Sequence, residues 1–398
     1  MQTNSICTLE EFLNTWQQND KYFDMLRIMA QLSKLFSENS VPYLDYRLAE
    51  NLFCKYYNAI NDARSCTAYD ARLNHLGIGI KTFILRKDKQ NNTYYSTEKI
   101  AEFNKLKPEL QPLRGDDLAY KISQFRNDRI NFANNSYNVN ENQYHIVGRI
   151  PGELLIFNTP YEHINLDNIK VTSDNETTIT FEDKINEYTF NKSKSVLIKK
   201  FIVPTINKRI KVDIIEDPLS LIEKYFSSQE GISTKSNLNT LKKGTNYVML
   251  PLYSYKHNVK YVAEKSGLNQ WNASGRQRNE DELYIPIPSY IHKNYSDFFP
   301  NRDCTFKLHL PNGNIIDAKV CQDGGKALMS NPNRDLGHYI LRQALKKKPG
   351  ELVTIDDLNR YGFDSICIEK KYDTKNTTYY YKLYFTDEFG DYDEFIER

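Results

Sequence analysis

The stretch that decides the fold of the first half of the chain reads Gly77-Ile78-Gly79-Ile80-Lys81-Thr82-Phe83. In a β-strand, side chains two residues apart share a face, and neighbouring side chains point to opposite faces. Ile78 and Ile80 are therefore predicted to face a core, while Gly79 and Lys81 share the other face with the end of a strand at Asp70. The pattern predicts a buried strand that holds one lysine close to an aspartate.

Asp70, Lys81 and Glu50 have the chemistry that a metal-dependent phosphodiesterase needs. Hydrolysis of a phosphodiester requires a divalent cation that neutralises developing charge and a positioned, activated water. Glu50, on a segment with helical spacing, can hold the cation together with Asp70. Lys81 can orient or deprotonate the water, or stabilise charge on the phosphate. Magnesium prefers oxygen ligands and keeps several waters, so two carboxylates and one backbone carbonyl, which we assign to Ile80, would suffice.

This arrangement resembles the PD-(D/E)XK nuclease superfamily, whose core places an aspartate and an acid-any-lysine triplet on adjacent strands, often with a glutamate on a preceding helix. The triplet here reads Gly79-Ile80-Lys81, so its acid is absent and Glu50 would have to replace it. The alternative is that Asp70 ends a strand, Lys81 is a solvated charge, and Glu50 pairs with Arg47 on its own helix. Surface charges of this kind are common.

Length and composition indicate two or three globular domains. At about 100–200 residues per domain, a chain of 398 residues is too long for one. The 53 basic and 51 acidic residues give a net charge of +2. Nucleic-acid binding would therefore have to come from local patches and not from the overall charge.

The cysteines and the apolar residues indicate the compartment. Six cysteines are scattered without a CxxC pair and without a histidine at zinc-ligand spacing, which argues against a structural zinc site or a disulfide scaffold. The N-terminus has no apolar signal core, and no apolar run approaches the ~20 residues of a transmembrane helix. We expect a cytoplasmic protein with reduced thiols and no contact with a membrane.

Residue patterns predict an α/β first domain followed by an all-β second domain. Helical patterns around Ile100 to Leu106 and from Asp116 to Arg129 precede a series of short β-like segments. The second of these helices carries three cations that are either a solvated face or contacts to DNA phosphates, namely Lys121, Arg126 and Arg129. After a helix from Leu219 to Phe226, residues 227–239 lack apolar periodicity and form the linker candidate. This predicts domains at residues 1–226 and 240–398.

Two polar stretches of the second domain are rich in groups that read base edges or hold phosphates. They extend from Gly267 to Asn279 and from Gln322 to Arg334. Arginine reaches two acceptors of guanine, asparagine or glutamine reaches adenine, and lysine and serine hold phosphates. Either stretch alone would be an ordinary surface loop. The predicted DNA-binding residues are Gln270, Trp271, Asn272, Arg276, Arg278, Asn279, Asp323, Lys326, Ser330, Asn331, Asn333 and Arg334.

Together with Phe298-Phe299-Pro300 and Asp335-Leu336-Gly337, these stretches closely resemble the C-terminal DNA-binding domain of NgoFVII-type restriction endonucleases. The resemblance covers roughly residues 245–395. It implies a seven-stranded pseudobarrel similar to the plant B-three DNA-binding domain and to the effector domain of EcoRII. In that fold two arms clasp the major groove, which makes the first stretch the N-terminal arm and the second the C-terminal arm.

The catalytic half departs from the NgoFVII-type enzymes, which use a phospholipase-D-like domain with HxK motifs. His145 and His163 have no lysine two positions on, and His257 is followed by Asn258 and Val259. The catalytic half must therefore be of another kind, which favours the two acids and the lysine described above.

The sequence thus predicts a two-domain type II restriction endonuclease of α/β class. A PD-(D/E)XK-like mixed sheet flanked by helices would form the nuclease, and an all-β pseudobarrel the specificity domain. The implied cofactor is Mg²⁺, and the substrate is double-stranded DNA. A cognate DNA methyltransferase would belong to the same restriction-modification system as a functional partner. The sequence leaves the oligomeric state open, and a homodimer is possible. The rival hypotheses are a non-catalytic DNA-binding regulator with a structural first domain, and a nuclease restricted to modified DNA.

Overall fold

The computed structural model describes residues 8–63, 68–227, 246–270, 279–373, 376–385 and 391–397. These residues form a mixed α/β structure with three large sheets. No helix among them is long and apolar enough to cross a membrane. Almost all of the expected linker at residues 227–239 lies outside the described residues, so the domain boundary stays a prediction.

The first sheet contains the stretch at residues 77–83. Its six described strands lie in the order β1 (Ile60–Asn61), β2 (Ala71–Leu73), β3 (Leu76–Ile84), β6 (Glu141–Ile150), β7 (Glu153–Pro160) and β12 (Lys208–Lys211). Strand β3 is antiparallel to β2 and parallel to β6, with Lys81 opposite Ile146. Parallel neighbours need a crossover connection. Here the crossover includes the long helix α5 (Gly115–Tyr137).

Three N-terminal helices contribute to the core on one face of this sheet, namely α1 (Leu9–Thr15), α2 (Asp20–Gln31) and α3 (Tyr46–Tyr57). Ile78 and Ile80 are buried in the core that these helices form with β3. Gly79 and Lys81 line a cavity instead. The alternation predicted for residues 77–83 is therefore confirmed.

The second sheet of the first half is antiparallel. Its described strands lie in the order β4 (Arg86–Lys87), β5 (Tyr94–Glu102), β11 (Val196–Ile202), β10 (Glu187–Asn191), β9 (Thr178–Glu182) and β8 (Lys170–Asp174). The helix predicted around Ile100 to Leu106 is wrong, because Ile100 lies in β5 and only a 3₁₀ turn at Asn104–Leu106 follows. Strand β5 pairs with β11, which lies far along the chain, and local spacing cannot show such a pairing.

The remaining helices of the first half are short. They are α4 (Lys107–Leu110), just before α5, and α6 (Pro218–Ser227), at the position where the sequence predicts a helix. Helix α5 packs on the second sheet and extends beyond the predicted end at Arg129, to Tyr137.

The second half contains a seven-stranded sheet in its described residues. The strand order is β13 (Tyr247–Pro251), β20 (Ser365–Asp373), β21 (Thr378–Phe385), β17 (Thr305–His309), β18 (Ile315–Cys321), β19 (Ala327–Ser330) and β16 (Ile285–Pro286). Among the described residues, β13 and β16 are the two edge strands and do not pair with each other, so the sheet is not a closed barrel. The pseudobarrel stays a prediction.

Shorter elements surround this sheet. They are the hairpin β14 (Ser254–Lys256) and β15 (Val259–Tyr261), the helices α7 (Ser289–Asn294), α8 (Asp335–Gly337), α9 (Ile355–Tyr361) and α10 (Tyr392–Glu397), and a π-helix at His338–Ala344. Helix α8 continues directly into this π-helix, so the chain is helical from Asp335 to Ala344.

Helix α5 contacts both halves. Its Phe132 belongs to the core of the second half, with its ring centroid 4.6 Å from that of Tyr361 and 5.1 Å from that of Phe363. The Tyr339 hydroxyl donates to the main-chain oxygen of Ser136 at 3.0 Å, and this contact is buried. The two halves therefore share apolar packing.

Candidate functional site

Asp70 directly precedes strand β2 and is fixed against β3. Its main-chain N–H donates to the oxygen of Ile78 at 3.0 Å, and its Oδ2 accepts the N–H of Ile80 at 2.6 Å. Burial raises the pKa of the Asp70 carboxyl, while the charge of Lys81, the N–H of Ile80 and the charge of Arg47 act against this rise. One carboxylate oxygen is thus engaged by a main-chain donor beside Lys81.

Gly79 leaves room on β3 for a pair of tyrosine rings. Tyr144 and Tyr161 stack with centroids 4.1 Å apart, and a Cβ atom at Gly79 would lie 2.9 Å from carbon atoms of both rings. The guanidinium of Arg126 lies over the Tyr161 ring at 4.7 Å. Any side chain at Gly79 would displace these rings, because real Cβ contacts are not this short. The glycine therefore shapes the surface beside Lys81.

Asp70 and Lys81 line one cavity of about 550 Å³ that lies between the two halves of the chain. The second half contributes Tyr361 and Gly362 to its wall. An excess of cations suits a substrate that carries phosphates. The charged residues that line the cavity are Asp70, Glu102, Lys81, Lys99, Lys105, Arg126 and Arg129.

Three of these lining residues, Lys99, Glu102 and Lys105, are missed by the sequence analysis. They lie on β5 and the turn after it, the segment predicted as a helix. Lys99 Nζ lies 2.9 Å from Glu102 Oε2, and Lys105 Nζ lies 3.3 Å from Asp364 Oδ2. They are spaced three residues apart, as charged residues on an ordinary helix surface often are. No local feature of the sequence therefore marks them as residues of a functional cavity.

The two α5 arginines that line the cavity are not a solvated helix face. Arg126 is 4% exposed, and its Nη2 lies 3.3 Å from the hydroxyl of Tyr144. Arg129 donates to the main-chain oxygen of Glu102 at 2.7 Å and to that of Arg360 at 3.2 Å. Lys121 is not among the described lining residues, and its Nζ lies over the Phe125 ring at 4.8 Å.

Glu50 is not among the described residues that line the cavity. It is buried on α3, and its Oε2 lies 3.6 Å from Arg47 Nη1, which is the ion pair that the alternative interpretation expects. Burial first, and then the charges of Asp62, Glu50 and Asp70, raise the pKa of the Cys54 thiol to about 12. Glu50 therefore lies near the same group of acids, although it is not among the described lining residues.

The carboxylates that the cavity offers are those of Asp70 and Glu102. In the described part of the chain, no group of three or more His, Cys, Asp or Glu side chains is placed to hold a metal ion. Mg²⁺ is commonly held by one or two carboxylates together with waters, and the donor chemistry of this cavity fits that requirement. Metal binding by the carbonyl of Ile80 stays a prediction.

Most of the predicted N-terminal arm lies outside the described residues, because residues 271–278 are not among them. At its edges, the Gln270 side-chain amide donates to the main-chain oxygen of Glu280, and Asn279 Oδ1 accepts the N–H of Asp281 at 2.9 Å. The side chain of Asn279 is exposed. The predicted residues that cannot be placed are Trp271, Asn272, Arg276 and Arg278.

The predicted C-terminal arm lies largely on the surface. Asp323 Oδ1 pairs with Arg302 Nη1 at 3.0 Å. Ser330 is fully buried, and its Oγ accepts the N–H of Leu336 at 3.0 Å, so its side chain is not exposed for a contact with DNA. Asn333 is partly exposed, and the exposed members of the set are Asp323, Lys326, Asn331 and Arg334.

Asp281 connects the segments that follow the two arms. Its Oδ2 lies 2.9 Å from His338 Nδ1, and its Oδ1 lies 2.7 Å from Arg342 Nε. Although burial acts in the opposite direction, the hydrogen bonds from His338 and Arg342 lower the pKa of the Asp281 carboxyl. The charged form of Asp281 is therefore the one that holds these segments together.

Close packing of the backbone holds the ends of the two arms next to each other. A Cβ atom at Gly337 would lie 1.9 Å from the main-chain oxygen of Asp281, so only glycine allows this approach. As a result Asn279 and Arg334, one from each arm, line a single cavity of about 470 Å³.

The second half of the chain is similar to a known DNA-binding domain. The family profile described as the NgoFVII C-terminal B3-like DNA-binding domain matches residues 219–372. No curated protein matches the chain. The similarity suggests sequence-specific binding of double-stranded DNA in the context of restriction and modification.

Proposed function

We propose that this chain is a type II restriction endonuclease, which hydrolyses double-stranded DNA at specific sequences in a Mg²⁺-dependent reaction. The observation that carries the proposal is the placement of Asp70 and Lys81 in one cation-lined cavity beside a half that is similar to the DNA-binding domain of a restriction enzyme. Asp70 directly precedes β2, and Lys81 lies on the neighbouring strand β3, which supports the PD-(D/E)XK resemblance although the acid of the triplet is absent.

Lys81 acts on the water or on the scissile phosphate. Its ammonium group lies on β3 beside the Asp70 carboxylate, and a cation at this place can orient a water, accept its proton when neutral, or offset charge that develops on the phosphate. Lys99, Lys105 and Arg129 add positive charge to the cavity wall and position the DNA backbone without reading its sequence.

Asp70 would hold the magnesium ion together with a second carboxylate. The sequence favours Glu50 for this role, whereas the cavity contains Glu102. When bound, the ion supplies charge neutralisation and an activated water. The carboxylate of Asp70 is already oriented by the N–H of Ile80, which leaves its other oxygen for this task.

The two arms of the second half read the DNA sequence in this proposal. Asn279 and Arg334 lie close enough to line one cavity, and side chains of these types form paired hydrogen bonds with adenine and guanine edges. Lys326 is exposed and would contact a phosphate. A homodimer and a cognate methyltransferase remain predictions of the sequence analysis.

Plasmid cleavage by the complete chain tests the proposal. Linear products with uniform ends are expected with magnesium and not with EDTA, and sequencing of ends from a digested plasmid library would give the recognition site. Specific gel shifts without any cleavage would favour a second candidate, a non-catalytic DNA-binding regulator. The ion pair between Glu50 and Arg47 is the observation that supports this candidate.

A further inference from the structure

His338 lies outside both arms but lines the cavity at which their ends meet. This cavity has a volume of about 470 Å³, and Asn279, Arg334 and Asn314 also line it. Its wall is thus formed by the end of the N-terminal arm, the end of the C-terminal arm, and the turn that joins β17 to β18. The side chain of His338 is 54% exposed, so a ligand can reach it.

One nitrogen of the His338 ring is already fixed by the protein. Nδ1 lies 2.9 Å from Asp281 Oδ2, and Asp281 Oδ1 accepts from Arg342 Nε at 2.7 Å. Arg342 also donates to the main-chain oxygens of Glu280 and Lys347, and its side chain is only 14% exposed. The pair of Asp281 and Arg342 therefore holds the imidazole in one orientation before any ligand binds.

The other ring nitrogen is open to a ligand. Because a charged carboxylate only accepts hydrogen bonds, Nδ1 carries the proton in the contact with Asp281, which leaves Nε2 of the neutral ring as an acceptor. Among the residues that the structure describes, Nε2 has no hydrogen-bond partner. His338 therefore offers one oriented acceptor at an exposed position of the cavity wall.

The charges around His338 favour the edge of a base over a phosphate. Two acids line the cavity, namely Asp281, which pairs with Arg342, and Asp335, whose Oδ1 lies 3.7 Å from Arg334 Nε. A phosphate would gain little from arginines whose charge these acids offset. The exocyclic amino groups of adenine and cytosine are neutral donors in the major groove, and they need an acceptor of this kind.

His338 also lies close to a predicted base reader. Its main-chain N–H donates to the oxygen of Arg334 at 2.8 Å, so the two residues are one helical turn apart. Residues at this spacing share one face of a helix, with their Cβ atoms about 5–6 Å apart. DNA that reaches Arg334 is therefore within reach of His338.

We propose that His338 reads one base pair of the DNA site by accepting the exocyclic amino group of an adenine or a cytosine at Nε2, and that Asp281 positions it. The inference rests on the proposed sequence-specific binding of DNA and adds a reader that lies outside both arms. It does not depend on nuclease activity.

Selection of binding sites from randomised duplexes by the complete chain in EDTA is the first test. The wild type should select one preferred sequence, and His338→Asn should select the same sequence with one base pair relaxed. If the wild type selects no sequence, the proposed recognition of DNA fails together with this inference. If the wild type selects a sequence and the variant keeps every position of it, this inference alone is overturned.

His338→Asn separates the DNA contact from the contact with Asp281. The asparagine amide can still donate to Asp281, but it places no group at the position of Nε2. Tm should therefore stay the same, while the ratio of affinities for the selected duplex and for a duplex changed at the relaxed base pair falls about fivefold. His257→Asn, at an exposed position of the same half, is the matched control and should change neither value. A lower Tm with an unchanged ratio would assign His338 to the fold alone and overturn the proposal.

Removal of the amino group from the DNA tests the contact itself. At the relaxed base pair, adenine is replaced by purine, or cytosine by 2-pyrimidinone, so that the exocyclic amino group is absent. The wild type should bind the altered duplex about fivefold more weakly than the selected one, whereas His338→Asn should bind the two alike. Equal losses for both proteins would show that another residue meets the amino group, and would overturn the proposal.

Asp281→Ala tests the positioning role. A smaller folded fraction lowers the affinity for every duplex alike, so the affinity ratio reports the orientation of His338 and not stability. The ratio should fall at the same base pair as in His338→Asn, and the double variant should lose no more than His338→Asn does. An unchanged ratio in Asp281→Ala would overturn the role assigned to Asp281.

Discussion

Phe132 of helix α5 stacks on Tyr361 of helix α9, with ring centroids 4.6 Å apart and planes inclined by 22°. Phe132 comes from the first half of the chain but belongs to the core cluster of the second. Removal of the first half would expose Tyr361, Phe363 and Phe385, which all contact this ring. Tests of DNA binding therefore use the complete chain.

The shared core predicts coupled unfolding of the two halves. Phe132→Ala should lower the free energy of unfolding by about 3–5 kcal/mol, because it leaves a cavity between aromatic rings. Urea unfolding, monitored by circular dichroism and by tyrosine fluorescence, should show a single transition. Its midpoint should shift to a lower urea concentration in the variant, by the same amount in both signals. Tyr120→Ala, at a 47% exposed position on the same helix, is the control. Two separate transitions, of which only one shifts its midpoint in the variant, would contradict the shared core.

Asp70→Ala and Lys81→Ala should each reduce DNA cleavage at least about a hundredfold while specific binding survives. The reason is that chemistry is assigned to the first half and recognition to the second. Cleavage rates and gel shifts of the same preparations give the two readouts, with Lys170→Ala as an exposed control. Retained cleavage in either variant would refute the site assignment.

Glu50→Gln and Glu102→Gln distinguish the two candidates for the second carboxylate. If Glu102 holds the ion with Asp70, Glu102→Gln should require much more magnesium for half-maximal cleavage, whereas Glu50→Gln should not. If Glu50 holds the ion instead, as the sequence indicates, Glu50→Gln should require more magnesium and Glu102→Gln should not. Magnesium titrations of the cleavage rate decide between them, and unchanged titrations in both variants would exclude both residues as ligands.

Substitutions in the arms should separate base readers from phosphate contacts. Arg278→Ala and Arg334→Ala should each cost roughly 1–3 kcal/mol of binding and relax preference at one base pair. Lys326→Ala should weaken binding to all sequences alike and flatten its salt dependence. Gel shifts on cognate and scrambled duplexes at several salt concentrations measure both effects. If the arginine variants lose the same amount of affinity for the cognate and the scrambled duplex, these arginines do not read bases.

His145 should make the fold sensitive to acid. Burial among aromatic rings lowers its pKa to about 4, although a hydrogen bond with Asn158 acts in the other direction. Between about pH 6.5 and pH 4 the unfolded chain binds a proton that the folded chain does not. Stability from the neutral ring is therefore fully present above pH 6.5 and is lost as the pH falls towards 4, by about 3 kcal/mol.

Urea unfolding at pH 7 and at pH 4.5 measures this dependence. His145→Gln should flatten the difference between the two pH values, whereas His257→Gln, at an exposed position, should leave it unchanged. An equal pH dependence in wild type and His145→Gln would assign the acid sensitivity to other groups.

The sequence by itself determined the faces of the strand at residues 77–83. Alternation is a local property, so the burial of Ile78 and Ile80 and the opposite placement of Lys81 follow from spacing alone. The polar stretches at residues 267–279 and 322–334 were equally recognisable, because their composition does not depend on distant contacts.

Only the tertiary structure decided which charged groups share a cavity with Asp70 and Lys81. Glu102 reaches it because β5 pairs with β11, and Tyr361 forms part of its wall because α9 packs on α5. Glu50 has suitable chemistry in the sequence, yet on α3 it lies against Arg47 and is not among the described lining residues of the cavity. These outcomes depend on contacts between residues far apart in the chain, and local periodicity contains no information about such contacts.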